Sequence, residues 1–107
     1  MEIHAKVWLT HGGKMVISRG RAQLLEAVEA TGSSSAAARE LGMSYRHAWS
    51  MLRASEEHIG RPLLEKSRGG VRGGGARLTP YGHRLLKQYR ELEARFESLK
   101  SECQGDM

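Results

Sequence analysis

Apolar residues recur at helical spacing three times in the first sixty positions. Leu24, Leu25 and Val28 share one face of a segment predicted to be helical from Arg21 to Thr31 and ended by Gly32. Ala37, Ala38 and Leu41 repeat the pattern over a short helix from about Ser35 to Leu41, with hydroxyl caps on offer at Ser33, Ser34 and Ser35. Gly42 then supplies the positive φ of a tight turn. A third helix is predicted from about Ser44, its cap, to His58, with Tyr45, Ala48, Trp49, Leu52 and Ile59 as the buried stripe. In this reading Trp49 packs in the seam between that helix and the rest of the core.

Elsewhere the period changes. Ala5–Thr10 and Lys14–Ile17 read as two short strands joined at His11-Gly12-Gly13. A lone hairpin is marginal in water, so it must lie on the helices, and Trp8 covers the domain or a partner subunit. Pro62 stops the third helix from continuing simply. Leu63–Ser67 and Ala76–Thr79 read as a strand and its return, separated by a glycine-rich loop carrying Arg68 and Arg72. Thr79 and Pro80 cap and open a last helix, predicted to run to about Ser101. Along it Leu85, Tyr89, Leu92, Phe96, Leu99 and Cys103 alternate at spacings of four and three, a heptad seam suited to a dimer.

The 107 residues fit one domain, mainly α with small β. Its parts are an N-terminal hairpin (1–18), a tri-helical core (21–60), a wing (63–79) and a dimerisation helix (80–102). A short helix, a glycine turn and a second helix make a helix-turn-helix, and a strand, basic loop and strand directly after it make a wing. In such a unit the second helix enters the DNA major groove.

Charge sharpens this picture. Net charge is +5, and eight of the 17 basic residues lie between Arg61 and Arg90 against one acidic residue, Glu65; the remainder holds nine basic and eleven acidic. Concentrated positive charge suits a polyanion. The glycine loop does not fit a nucleotide-binding reading, because no helix opens at its end and the Lys-Ser/Thr of a phosphate loop is missing. One cysteine, Cys103, excludes an internal disulfide framework. No apolar run approaches a membrane span and no signal-peptide pattern opens the chain, so the expectation is a cytoplasmic protein with no membrane partner. No paired carboxylates, nucleophile with base or metal-spaced ligands stand out, so neither an enzyme nor a cofactor is expected; His47 and His58 share a helix face without a third ligand.

From Gly32 to about Leu86 the chain resembles the DNA-binding domain of the LysR-type bacterial regulators, through Ala37, Ala38, Leu41, Ser44, Glu56, Ile59, Gly60, Pro62, Leu63 and Leu78-Thr79…Gly82. It is more closely similar to the N-terminal domain of the molybdate-responsive ModE family, through Val7-Trp8-Leu9, Gly20-Arg21, Ser44-Tyr45-Arg46…Ala48-Trp49 and the glycine-rich wing ending in Leu78-Thr79…Tyr81-Gly82. That resemblance implies a dimeric winged helix-turn-helix on a palindromic operator, with Ser44, Tyr45, Arg46 and His47 toward bases and the wing on flanking DNA. Full-length members of that family also carry C-terminal molybdate-binding domains, which this chain does not reach; the expectation is a regulator without its own sensor. Ser50 is a further base-facing candidate, being off the apolar stripe and able to hydrogen-bond. Arg46 suits bidentate contact to guanine. Ser33, Ser35, Arg53, Lys66, Arg68, Arg72 and Arg77 are the phosphate candidates. Trp8, Leu85, Tyr89, Leu92, Phe96 and Leu99 are the dimer candidates. The alternative is an interaction module that docks to a separate oxyanion sensor protein, with DNA binding secondary.

Overall fold

The computed structural model describes residues 1–67 and 75–107. In chain order it contains β1 (Leu9–His11), β2 (Lys14–Ile17), α1 (Arg19–Thr31), α2 (Ser34–Glu40), α3 (Tyr45–Ile59), β3 (Leu64–Ser67), β4 (Gly75–Leu78) and α4 (Pro80–Gly105). The two sheets are separate antiparallel pairs, β1 with β2 and β3 with β4. Side-chain caps start every helix. Ser18 accepts from Arg21 N, Ser33 from Ala36 N, Ser44 from His47 N and Thr79 from Gly82 N. Each cap satisfies a donor that has no partner inside its helix. Gly32 and Gly60 end α1 and α3 in the left-handed region, which a side chain would strain.

One continuous core joins Val16 and Ile17 of β2, Leu24, Leu25 and Val28 of α1, Ala37 and Ala38 of α2, Ala48 and Leu52 of α3, and Leu85, Leu86 and Tyr89 of α4. Leu63 and Leu78 bring the wing onto it. Three polar joints set the wing's position. Glu56 Oε2 of α3 accepts from the backbone N–H of Leu63 at 2.7 Å and of Leu64 at 3.3 Å. Ala76 N donates to Gly32 O, at the end of α1, at 2.9 Å. Thr79 N donates to Leu63 O at 2.9 Å, and the Thr79 hydroxyl donates to Pro62 O at 2.8 Å. Gly82 is required at this crossing, since a Cβ there would lie 2.5 Å from Leu63 O.

Several boundaries and placements differ from the sequence expectation. The first strand covers Leu9–His11 rather than Ala5–Thr10. The buried hydroxyl of Tyr89 takes the Val7 carbonyl at 2.8 Å, and Ile3 N donates to Gln104 Oε1 at 3.1 Å, so the N-terminal segment follows α4 instead of extending the hairpin. Helix α1 starts at Arg19, because Ser18 caps it, and α4 continues to Gly105. The inner stripe of α3 is Ala48, Leu52 and Ser55, whereas Tyr45 and Trp49 are each 52% exposed. Trp49 is therefore not in the core seam; β2, α1 and α2 cover the neighbouring face of α3 and leave its indole outside.

The seam along α4 is also divided. Leu85 and Tyr89 are spent on the chain's own core, with Tyr89 0% exposed, so neither side chain is free for a partner. Beyond them Leu92 is half-buried, and Phe96 and Leu99 are exposed. The physical reason is length. A helix rises about 1.5 Å per residue, so 13-residue α1 can cover only about half of 26-residue α4. Ionic contacts hold the covered part: Arg19 Nε of α1 donates to Glu93 Oε2 at 3.1 Å, and Arg90 pairs with both Glu26 of α1 and Glu93.

Candidate nucleic-acid interface

The second helix of the helix-turn-helix, α3, is anchored inward and open outward. Its inward anchor is partly polar. Ser55 is 0% exposed, and the Arg21 guanidinium donates to its hydroxyl at 2.6 Å and to the Met15 carbonyl at 3.3 Å. Ser55 in turn donates to Met51 O at 3.2 Å. His58 Nδ1 donates to Met15 O at 2.6 Å. These bonds tie α3 to α1 and β2 and fix its rotation. Burial pulls the Arg21 pKa down from its ordinary value. The sequence reading missed this joint. A serine three residues after Leu52 and four before Ile59 lies on the apolar stripe, and a polar group there needs a buried partner.

The outward face carries Arg46, His47, Ser50 and Arg53, all exposed. Ser44, also exposed, uses its hydroxyl oxygen to cap α3 at 3.1 Å from His47 N. Tyr45 and Trp49, one helical turn apart, stand on the flank of this face that looks toward the wing. The Arg53 guanidinium lies 5.7 Å from the Trp49 ring centroid and 3.9 Å from Glu56. A groove of about 530 Å³ separates α3 from β3 and β4, lined by Trp49, Tyr45, Leu52, Lys66 and the Ser33–Ser35 turn among others.

The phosphate candidates fall into four groups. Arg53 and Lys66 are exposed beside the groove. Arg77 is exposed too, but its Nε lies 2.9 Å from Glu65 Oε1 across the β3–β4 pair, which neutralises part of its charge. Ser33 is occupied as the cap of α2, while Ser35 is exposed in its first turn. Arg68 and Arg72 lie outside the described residues. A further basic pair was not anticipated: Arg61 and Arg84 lie 4.4 and 5.8 Å from the ring centroid of Tyr81. Among the described residues, no cluster of three or more His, Cys, Asp and Glu is arranged to hold a metal, and no helix is long and apolar enough to cross a membrane.

Three helices whose second and third form the reading unit, followed by a two-stranded wing, define a winged helix-turn-helix DNA-binding domain. Residues 20–83 match the bacterial regulatory helix-turn-helix proteins of the lysR family, and the chain belongs to that family. It is 44% identical over 81 residues to the molybdenum-pterin-binding protein MopB of Rhodobacter capsulatus, covering 76% of this chain and 30% of that protein. It is 42% identical over 79 residues to the transcriptional regulator ModE of Haemophilus influenzae, covering 74% and 31% respectively. The chain thus spans about three-tenths of the length of these curated relatives. Its fold is similar to that in the crystal structure of the CbnR_DBD–DNA complex, with a TM-score of 0.64 and 27% identity over 85% of this chain and 100% of that one. The ModE-like character expected from the Ser-Tyr-Arg…Ala-Trp run and the wing is therefore found.

Proposed function

We propose that this chain is a sequence-specific DNA-binding regulator, acting as a homodimer on a palindromic operator in the bacterial cytoplasm and linked to molybdate metabolism. The observation that carries the reading is the outward face of α3, where Arg46, His47, Ser50 and Arg53 are exposed on the second helix of the helix-turn-helix. Arg46 and His47 are near the N-terminal end of α3, the part that reaches base edges in such units. Arg53 and Lys66, with Arg68 and Arg72 of the wing, neutralise phosphates and set register. The molybdate link rests on the names of the MopB and ModE relatives.

The dimer uses what α4 leaves uncovered: Leu92, Phe96 and Leu99, with the exposed Trp8. Two-fold pairing then places two copies of α3 about one helical turn of DNA apart, so half-sites form an inverted repeat. The same exposed apolar residues support the second reading, a module that docks to a separate oxyanion sensor.

Selection of duplexes from a random library, followed by titration of the winner at several salt concentrations, tests the proposal. Roughly 6–10 phosphate contacts lower affinity by about 10³–10⁵ between 50 and 200 mM salt. No enrichment of an inverted repeat, or a flat salt response, overturns it. In the same protein, Leu92→Glu combined with Leu99→Glu yields a monomer by analytical ultracentrifugation, with the circular dichroism spectrum kept. A double mutant that stays dimeric assigns the dimer to another surface.

A further inference from the structure

Trp49 is the anomaly of the reading helix. An indole normally contributes a large apolar area to a core, yet here half of it faces solvent on α3, with Tyr45 one turn before it and equally exposed. The inner contact of α3 is already formed by Ala48, Leu52 and Ser55. Charged groups surround it. Arg53 holds its guanidinium 5.7 Å from the ring, Arg46 is exposed less than one turn away, and Lys66 borders the same groove, while the two carboxylates of that groove, Glu56 and Glu65, each lie beside an arginine, Arg53 at 3.9 Å and Arg77 at 2.9 Å. An apolar ring flanked by exposed basic side chains, with the nearby carboxylates already beside arginines, is complementary to a surface that is anionic at its edges and apolar at one point inside. The DNA major groove has that character wherever a thymine presents its C5-methyl group between phosphate ridges.

We propose that Trp49 is a specificity-determining residue that reads thymine by packing its indole on the C5-methyl, with Arg53 fixing the ring's orientation. This rests on the proposed DNA-binding function and adds to it an apolar element of readout beside the hydrogen bonds of Arg46 and His47. The selected half-site then contains at least one thymine whose methyl matters.

The test replaces each thymine of the selected duplex by deoxyuridine in turn, which removes one methyl and keeps every hydrogen-bonding edge. The wild-type protein loses about three- to fivefold in affinity at one position per half-site, the worth of burying one methyl-sized group. Trp49→Ala binds the thymine and deoxyuridine duplexes equally at that position, with an unchanged salt slope and a thermal midpoint lowered by under about 8 °C. Arg53→Gln retains a reduced sensitivity. A half-site without thymine, a wild-type protein indifferent to every methyl, or a Trp49→Ala protein that still discriminates overturns the inference. The wild-type arm stands without any variant having to fold. Failure to enrich any duplex at all is distinct, because it removes the regulatory reading itself.

Discussion

Helices α1 and α3 are close in length, 13 and 15 residues, and both lie at the centre of the fold, yet they treat their surfaces in opposite ways. Helix α1 buries Ala22, Leu24, Leu25, Ala27 and Val28, because α2, α3, α4, β2 and β4 all meet it. Helix α3 buries only Ala48, Leu52 and Ser55, and leaves two aromatic rings and two arginines outside. The difference separates what holds the fold together from what the fold presents to solvent. Residues of α1 specify where everything else stands, and little of the fold depends on those on the outer face of α3.

The strongest way to break this contrast is to truncate both helices. Leu25→Ala in α1 lowers stability by about 2–5 kcal/mol, as large-to-small changes in a closed core do. Chemical denaturation measures it, and a loss below about 1 kcal/mol contradicts the assignment of α1 as the scaffold. A smaller effect is expected at the joint between the two helices. Arg21→Met removes a charged hydrogen bond to Ser55 and another to Met15 O, at a cost of about 1.5–3 kcal/mol. A double-mutant cycle with Ser55→Ala returns a coupling of about 1 kcal/mol if the two side chains act as one unit.

Acid loosens the scaffold from its other side. Burial alone pushes the Glu93 carboxyl up, but hydrogen bonds from Arg90, Arg19 and Tyr89 outweigh it and hold the pKa below its ordinary value of 4.5. A carboxyl depressed in the folded state contributes full stability above its unfolded pKa, and that contribution fades as pH falls below it. Thermal midpoints therefore drop between neutral pH and pH values under about 4.5, and Glu93→Gln flattens this part of the profile. A profile unchanged by the substitution excludes Glu93 as its source. The smallest effect on stability belongs to α3's outer face: Trp49→Ala shifts it by under about 1 kcal/mol, in line with other surface changes. A loss as large as that of Leu25→Ala would return Trp49 to the core.

Much of the architecture was legible along the chain. The caps Ser33, Ser44 and Thr79 and the glycines at 32, 42 and 60 are local devices, so they marked element ends without tertiary information. The exposure of Arg46 and Ser50 was legible because they fall opposite Ala48 and Leu52 on a helical wheel. The polar joint of Arg21 with Ser55 was not, since it links residues 34 apart and neither residue signals the other locally. The wing's attachment through Glu56 was likewise invisible, because a glutamate on a helix ordinarily faces water.

Periodicity determined by itself that this chain forms three helices, two hairpins and a long terminal helix, and that the second and third helices make a reading unit. It did so because hydrogen bonding within an element and alternation between water and core act over a few residues. Only the tertiary structure decided which part of each apolar stripe is covered. Tyr45 and Trp49 occupy stripe positions by spacing, and so do Phe96 and Leu99; all four are exposed because no element among the described residues extends far enough to cover them. Burial depends on the size and reach of what packs opposite, and that is a property of the assembled fold rather than of any one segment.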